Sequence, residues 1–155
     1  WIALFSTREC NRTAMNTEPA KPLILVVDDS IDIVIMFKIL FEHRAVFRVE
    51  IATYGASAIE TTLSLHPDLM LMDGIVPPPD GWECCKQLKQ TPEVQPIPIL
   101  MCGMLFNKEY RTQSPEAGAV DYLVMLMHPN DVIERIRQTL ASTQSLCHLS
   151  SRAGS

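Results

Sequence analysis

Three aspartates stand directly after apolar stretches of this sequence. Asp28 and Asp29 follow the run LILVV, and Asp73 follows the run LMLM. An ionised carboxylate at the mouth of a buried run is costly unless something pairs with it. If the three lie together the cost rises, because two like charges about 4 Å apart repel by about 4 kcal/mol at an effective dielectric constant near 20.

Such an acidic cluster (Asp28, Asp29 and Asp73) has two ways to lower its energy. One carboxyl group keeps a proton, or a cation lies among the three. Mg²⁺, a hard ion that oxygen ligands bind while it keeps several waters, satisfies the second case directly. A carboxylate beside Mg²⁺ can also attack phosphorus and form an acyl phosphate, and we assign this role to Asp73. For any single aspartate, the simpler interpretation is a cap on a loop or helix that faces water.

The elements that must position these acids alternate between strand and helix from Pro22 to Leu140. The sequence predicts strands at residues 23–29, 47–53, 69–73, 97–102 and 119–124. It predicts helices after the cap Ser30, at 55–65, at 81–90, at 107–117 with an interruption at Pro115, and at 130–140. Five units of this kind imply an α/β fold, an open parallel sheet with helices on both faces. Ligand sites in such folds lie at the carboxyl ends of the strands, where the acids collect.

The amino-acid composition indicates an ordinary globular protein. The chain has 155 residues, 47% of them hydrophobic and 20% charged, which fits one globular domain. The net charge of −5 argues against direct nucleic-acid binding. The five cysteines form no C-x-x-C pair, which indicates a reducing compartment, so a cytoplasmic location is expected. The apolar runs are too short to span a bilayer, and the opening WIALF does not resemble a signal peptide.

Three motifs together resemble the receiver domain of bacterial two-component response regulators, over about Pro22 to Leu140. ILVVDDS resembles the first strand with its acidic pair, PDLMLMDGIVPPPDGWE the phosphoacceptor strand and its loop, and EAGAVDYL the approach to the fifth strand. The resemblance implies a flavodoxin-like fold, with five parallel strands in the order 2-1-3-4-5 and helices on both faces.

The same resemblance implies a site and a partner. Mg²⁺ would be held by Asp28 or Asp29, by Asp73 and by the backbone carbonyl of Ile75. Asp73 would accept a phosphoryl group from a histidine of a sensor kinase or of a phosphotransfer protein, within a phosphorelay. The chain would then be at most a phosphoacceptor that phosphorylates itself, not an enzyme in the usual sense.

Two positions depart from the family's pattern. The serine or threonine that ends the fourth strand is replaced by Gly103, and the lysine that ends the fifth strand by Met125, while Tyr122 keeps the aromatic switch position. Neither glycine nor a thioether can donate a hydrogen bond to a phosphoryl oxygen. We therefore expect a stronger dependence on Mg²⁺, slower acyl-phosphate formation and atypical switching. Lys108, in the loop after the fourth strand, is a weaker candidate for the missing cation.

Several interpretations remain open at the level of the whole chain. The first is a single-domain receiver at 21–141, flanked by a disordered or artefactual tail at 1–20 and a flexible tail at 142–155. The second is a pseudo-receiver, a protein-interaction module that no longer signals through phosphorylation. The third is a receiver cut from a longer regulator or hybrid kinase.

Overall fold

The structure, a computed structural model, describes residues 20–44, 46–104 and 108–152. Its strands are β1 (Leu23–Val27), β2 (Arg48–Ala52), β3 (Leu69–Asp73), β4 (Ile99–Gly103) and β5 (Asp121–Val124). Its helices are α1 (Ile31–His43), α2 (Gly55–Leu65), α3 (Gly81–Gln90), α4 (Lys108–Glu116) and α5 (Pro129–Arg152). The strands form one parallel sheet in the order β2-β1-β3-β4-β5, so the predicted fold and strand order are confirmed.

The sheet is buried on both faces. All five residues of β1 are buried, as expected for a central parallel strand. Side chains on one face pack in the α1/α5 cluster, which includes Val26, Phe37, Phe41, Ile133 and Ile136. Those on the other face pack in the α2/α3 cluster, which includes Val27, Met72, Ala58, Cys84 and Leu88. The two clusters together hold the strands in register and fix where their carboxyl ends meet.

Three predicted spans agree with the observed bounds of α2, β3 and α3, and the other strands are shorter than predicted. β1 ends at Val27 because the Asp28 carboxylate accepts a hydrogen bond from the Ser30 N–H and turns the chain. β5 begins at Asp121 because the Ala119 N–H donates to the Ser114 carbonyl, which ends the preceding helix.

The predicted interruption of the fourth helix at Pro115 is wrong. Pro115 lies one residue before the end of α4 at Glu116, where its lack of an N–H removes only one bond of the final turn. α5 continues to Arg152 and so covers most of the segment that the sequence predicts as a tail. The predicted tail at 1–20 lies, up to residue 19, outside the described residues, as does Asn107. Within the described ranges, no helix has the length and apolar character needed to cross a membrane.

Candidate functional site

The acidic cluster forms at the carboxyl ends of β1 and β3. These strands are neighbours, with Val27 opposite Met72, so Asp28 and Asp73 follow side by side. One carboxylate oxygen from each of Asp28, Asp29 and Asp73 lies within 4.8 Å of the other two. Asp28 is buried, Asp73 is half-buried and Asp29 is exposed. The structure therefore brings together the three acids that the sequence singled out.

A backbone N–H donates a hydrogen bond to the carboxylate of Asp28 and another to that of Asp73, and these bonds orient the two side chains. The Asp28 carboxylate accepts the Ser30 N–H at 2.8 Å, and Oδ1 of Asp73 accepts the Ile75 N–H at 3.1 Å. Each bond joins an aspartate to the residue two positions later, an arrangement in which the side chain stabilises its own turn. The resemblance to receiver domains implies that Ile75 is a ligand through its carbonyl, and that role stays a prediction.

Burial, together with neighbouring negative charge, raises the pKa of Asp73 and of Asp28. The pKa of Asp73 is raised to about 6, mainly by burial and also by the negative charges of Asp28 and Asp29, while the hydrogen bond from the Ile75 N–H acts in the opposite direction. Burial is also the largest cause of the raised pKa of Asp28, where the Ser30 hydrogen bond opposes it and the charge of Asp29 adds to it. Both shifts have the direction expected for carboxylates that repel one another and have lost hydration.

These three carboxylates suit a hard divalent cation. Mg²⁺ prefers oxygen ligands at about 2.0–2.1 Å in an octahedron, so ligands on opposite sides of the ion lie about 4 Å apart. The 4.8 Å limit on the spacing of the three carboxylate oxygens leaves room for an ion that contacts some directly and others through water. The raised pKa values identify the charge that such an ion would neutralise. The residues present therefore fit Mg²⁺.

The loop after β3 explains the Asp-Gly pair at 80–81. The Gly81 N–H donates to the Gly74 carbonyl at 3.1 Å, which closes the loop back onto Asp73. A Cβ at Gly81 would overlap the Asp73 carbonyl oxygen, so only glycine permits this approach. The Asp80 carboxylate then accepts the Glu83 N–H at 2.8 Å and caps α3. The loop thus fixes the backbone that carries Asp73.

At the ends of β4 and β5 the side chains are uncharged. A Cβ built on Gly103 would overlap the hydroxyl oxygen of Tyr122, so this hydroxyl occupies the space that a side chain at position 103 would need. Tyr122 is nearly buried, with 9% of its surface exposed. Burial raises the pKa of its hydroxyl, and nearby Cys102 and Asp73 raise it further, so the hydroxyl lies in the electrostatic field of Asp73.

Met125 is the residue that the sequence places where the resemblance implies a lysine. It lies directly after β5, is 6% exposed and packs in the α1/α5 cluster, and its N–H donates to the Gly103 carbonyl at 2.8 Å. Asp73, Cys102 and Leu123 are consecutive partners across β3, β4 and β5, so Met125, two residues after Leu123, projects toward the face of the sheet that carries Asp73. Lys108 is exposed and lines a surface pocket of α4 with Glu109 and Thr112.

A chain of three aromatic rings borders the site, and sequence reasoning missed it. Tyr110 of α4 contacts Trp82 of α3 and Tyr122 of β5, with ring centroids 5.4 and 5.9 Å apart. Nε1 of Trp82 lies 2.6 Å from the point that a Cβ on Gly74 would occupy. The Trp82 end of this row of rings therefore lies beside Asp73. No periodicity links these residues, since each comes from a different element; only the folded arrangement reveals the contact.

Comparisons with known proteins agree with this geometry. A family model described as the response regulator receiver domain matches residues 24–137. The chain is 34% identical over 117 residues to the transcriptional regulatory protein ResD of Bacillus subtilis, covering 76% of this chain and 47% of ResD. It is 30% identical over 125 residues to the DNA-binding dual master transcriptional regulator RpaA of Synechocystis, covering 81% of this chain and 52% of RpaA. The chain thus spans about half the length of the curated relatives it matches.

Solved structures show the same fold. A putative response regulator from Chloroflexus aurantiacus superposes with a TM-score of 0.74 at 28% identity, covering 78% of this chain and 98% of that one. The chemotaxis protein CheY4 of Vibrio cholerae superposes with a TM-score of 0.71 at 25% identity, covering 77% and 98%.

Proposed function

Since this chain belongs to the response regulator receiver domain family of two-component signalling, we propose that Asp73 accepts a phosphoryl group from a phosphohistidine. The donor would be a sensor histidine kinase or a histidine phosphotransfer protein in the cytoplasm. The observation that supports this proposal is the acidic cluster, in which three carboxylates meet at the carboxyl ends of β1 and β3. Of the three, Asp73 is the one whose loop is fixed by a glycine in contact with its backbone.

The transfer exchanges one bond to phosphorus for another. A carboxylate oxygen of Asp73 forms a new O–P bond while the P–N bond of the donor breaks. The electron pair of that bond stays on the nitrogen, and the donor leaves as imidazole after taking up a proton from solvent. Asp73 then carries a mixed carboxylic–phosphoric anhydride.

Residues of this chain supply position and charge for that step. The hydrogen bond from Ile75 holds Oδ1 of Asp73, which directs the nucleophilic role to the other oxygen. With a pKa of about 6, Asp73 is mostly ionised at pH 7 yet poorly solvated, so it is available as a nucleophile. Asp28, Asp29, Asp73 and the Ile75 carbonyl would hold Mg²⁺, and the chemistry that such an ion supplies is neutralisation of the phosphoryl oxygens.

Intact-mass measurement tests the proposal. We expect the full chain, incubated with Mg²⁺ and acetyl phosphate, to gain one phosphoryl group, because the small donor needs no kinase docking. Asp73→Asn should gain none. Asp32→Asn is the matched control, since Asp32 lies in the first turn of α1 and is exposed, and this variant should be labelled like the wild type. An unlabelled wild type, or a labelled Asp73→Asn variant, would contradict the proposal.

A second candidate, the pseudo-receiver, draws on Gly103 and Met125, which replace a hydroxyl and an ammonium. Under this alternative the fold serves protein interaction and phosphorylation carries no signal. Amide hydrogen exchange separates the two candidates. If the phosphoryl adduct forms and exchange slows across β4, α4 and β5, the chain switches. An adduct that leaves exchange unchanged there favours the pseudo-receiver.

A further inference from the structure

The indole of Trp82 lies over Gly74, the residue that directly follows Asp73. Its atoms Nε1, Cε2 and Cζ2 lie 2.6, 2.8 and 2.9 Å from the point that a Cβ on Gly74 would occupy, and they are the three nearest atoms outside residues 73–75. The φ angle of Gly74 lies outside the positive region that favours glycine, so the backbone itself would accept a larger residue. The indole therefore fills the space that a side chain at position 74 would need.

The first turn of α3 holds the indole and the backbone of residue 74 together. The Gly81 N–H donates to the Gly74 carbonyl at 3.1 Å, and Trp82 is the next residue of the helix. Gly74 is buried, whereas Ile75, one residue further along, is exposed. The helix thus contacts Gly74 twice, with a backbone hydrogen bond at its carbonyl and with an aromatic ring over its Cα.

The indole is itself held from two sides. Trp82 is half-buried and packs against the α2/α3 cluster, and its ring centroid lies 5.4 Å from that of Tyr110, with 50° between the ring planes. Beside the ring, a groove of about 200 Å³ between α3 and α4 is lined by Trp82, Lys86, Gln113, Glu116 and Ala117. An indole displaced from Gly74 therefore has room to move without unfolding α3.

We propose that Trp82 is a positioning residue for phosphoryl transfer, whose indole restrains residues 73–75 and so keeps Asp73 in the geometry of attack. This inference rests on the proposed function. The Ile75 N–H that binds Oδ1 of Asp73 belongs to this stretch, and so does the Ile75 carbonyl that is expected to bind Mg²⁺. Glycine has the greatest backbone freedom of any residue, so Gly74 needs a restraint from outside the loop. Transfer depends on that restraint, because a displacement of about 1 Å can slow a reaction about a hundredfold.

Trp82→Ala removes the ring and leaves the helix in place. We expect the rate of adduct formation with acetyl phosphate at saturating Mg²⁺ to fall about tenfold, since Asp73 then samples more positions. Trp82→Phe keeps an aromatic ring beside Gly74, and its rate should stay within about threefold of the wild type.

Amide hydrogen exchange gives a second readout that needs neither metal nor phosphodonor. In EDTA, the Ile75 N–H and the Gly81 N–H should exchange about tenfold faster in Trp82→Ala than in the wild type. The reason is that the hydrogen bonds of these two groups, to Oδ1 of Asp73 and to the Gly74 carbonyl, both end on the restrained stretch.

Val94→Ala separates positioning from a general loss of stability. Val94 is 1% exposed and packs in the same α2/α3 cluster as Trp82, but it precedes β4 and so lies at the opposite edge of the sheet from Asp73. Its truncation lowers the free energy of unfolding away from residues 73–75. We expect its rate of adduct formation to stay within about twofold of the wild type, with unchanged exchange at Ile75 and Gly81. Urea denaturation measures the stability of each variant.

Substitution of Gly74 tests the contact from its other side. Gly74→Ala drives a Cβ into the indole, so we expect the rate to fall about tenfold as the ring is displaced. In a Trp82→Ala background the same alanine meets no indole and restrains the backbone that the ring no longer holds. The rate should then rise about threefold over that of Trp82→Ala alone. The sign of the effect at position 74 therefore depends on the ring, which a purely local effect of alanine would not produce.

The outcomes distinguish this inference from the proposed function. A wild type that gains no phosphoryl group overturns the proposed function and the role of Trp82 with it. If the wild type is labelled, three results overturn the role of Trp82 alone: labelling and exchange at wild-type rates in Trp82→Ala, equal slowing in Trp82→Ala and Val94→Ala, or a Gly74→Ala effect of the same sign in both backgrounds. Slower labelling and faster exchange that are confined to the variants that lose or displace the indole support it.

Discussion

The two halves of the candidate site differ in how their side chains interact. At the ends of β1 and β3, one oxygen from each of three carboxylates lies within 4.8 Å of the others, and burial together with their repulsion raises the pKa of Asp28 and Asp73. At the ends of β4 and β5, the corresponding positions hold Gly103, Tyr122 and Met125, which carry no charge and pack closely. The first half is in an unfavourable electrostatic state that a cation would relieve, whereas the second half consists of uncharged groups that pack against one another.

The contrast indicates that the charge of the site and the packing beside it are separate properties of the two ends of one sheet. Substitutions in the acidic half should change cation binding, phosphoryl transfer and the pH dependence of stability. Substitutions in the uncharged half should mainly change packing.

The largest effect is expected at the buried acid. Asp28→Asn removes a negative charge from the centre of the cluster while keeping the size of the side chain. We expect the rate of adduct formation with acetyl phosphate to fall at least about a hundredfold, because a unit charge about 4 Å from a cation contributes several kcal/mol to its binding. The measurement is the rate by intact mass over a range of Mg²⁺ concentrations. Labelling at the wild-type rate would place the cation site elsewhere.

In the absence of metal, the ionised carboxylate of Asp73 should lower the free energy of unfolding. Its folded pKa of about 6 exceeds the unfolded value near 3.8, so the folded state binds more protons between these limits. Stability should therefore fall as pH rises from about 4 to about 6 and stay lower above that. Asp73→Asn should raise the free energy of unfolding at pH 7.5 by about 2 kcal/mol, less than the full shift implies because the group is only half-buried.

Urea denaturation in EDTA at pH 7.5 and pH 4 measures this difference. At pH 4 the two proteins should be equally stable, because the Asp73 carboxyl is then protonated in the folded state. Asp32→Asn should differ from the wild type by less than about 0.5 kcal/mol at both values. A wild type that becomes more stable from pH 4 to pH 7.5 relative to Asp73→Asn would reverse the sign and contradict the account.

In the uncharged half, Gly103→Ala tests the packing. The new Cβ overlaps the Tyr122 hydroxyl, so the ring must move, and we expect a loss of about 1–2 kcal/mol in the free energy of unfolding. In a Tyr122→Phe background the same substitution should cost about 0.5 kcal/mol or less, because only ring carbons at 3.3 Å or more remain. Equal costs in both backgrounds would show that the hydroxyl does not occupy this space.

Met125→Lys places a positive charge from the uncharged half near the carboxylates of the acidic half. Of the substitutions considered, it should have the smallest effect on stability. The lysine stem can replace the buried methionine while its ammonium extends toward the carboxylates. We expect the rise in unfolding free energy on adding Mg²⁺ to shrink by about 0.5–1 kcal/mol, since the ammonium already offsets part of the repulsion. Thermal unfolding with and without Mg²⁺ measures this. Met125→Gln, similar in size and uncharged, is the control and should leave the Mg²⁺ effect unchanged.

Where a boundary depends on local chemistry, the sequence was sufficient. The predicted spans of α2, β3 and α3 have the same bounds in the structure, where α2 ends before His66, β3 is the apolar run that ends at Asp73, and the Asp80 carboxylate caps α3. The end of α5 was not predictable in this way. Polar residues after Leu140 indicate a tail, but the hydroxyls of Ser142, Thr143 and Ser145 each donate to the carbonyl four residues earlier, so the helix accommodates them.

One part of the candidate site could be predicted from the sequence and another could not. The meeting of Asp28, Asp29 and Asp73 follows from topology, because adjacent parallel strands end at the same side of the sheet. The fit between Gly103 and Tyr122 does not, because it depends on the direction of one ring packed against α4. The sequence shows only that residue 103 has no side chain; the structure shows that the Tyr122 hydroxyl lies where that side chain would be.

Chemical trapping of the phosphorylated residue tests the central claim most directly. Borohydride reduces an aspartyl phosphate to homoserine, which marks the acceptor permanently for peptide mapping. After incubation with acetyl phosphate and Mg²⁺, we predict homoserine at position 73 and aspartate at positions 28 and 29, with no conversion when EDTA replaces Mg²⁺. Conversion at a different aspartate, or conversion at position 73 that is equal with and without Mg²⁺, would contradict a metal-dependent phosphoacceptor site at the acidic cluster.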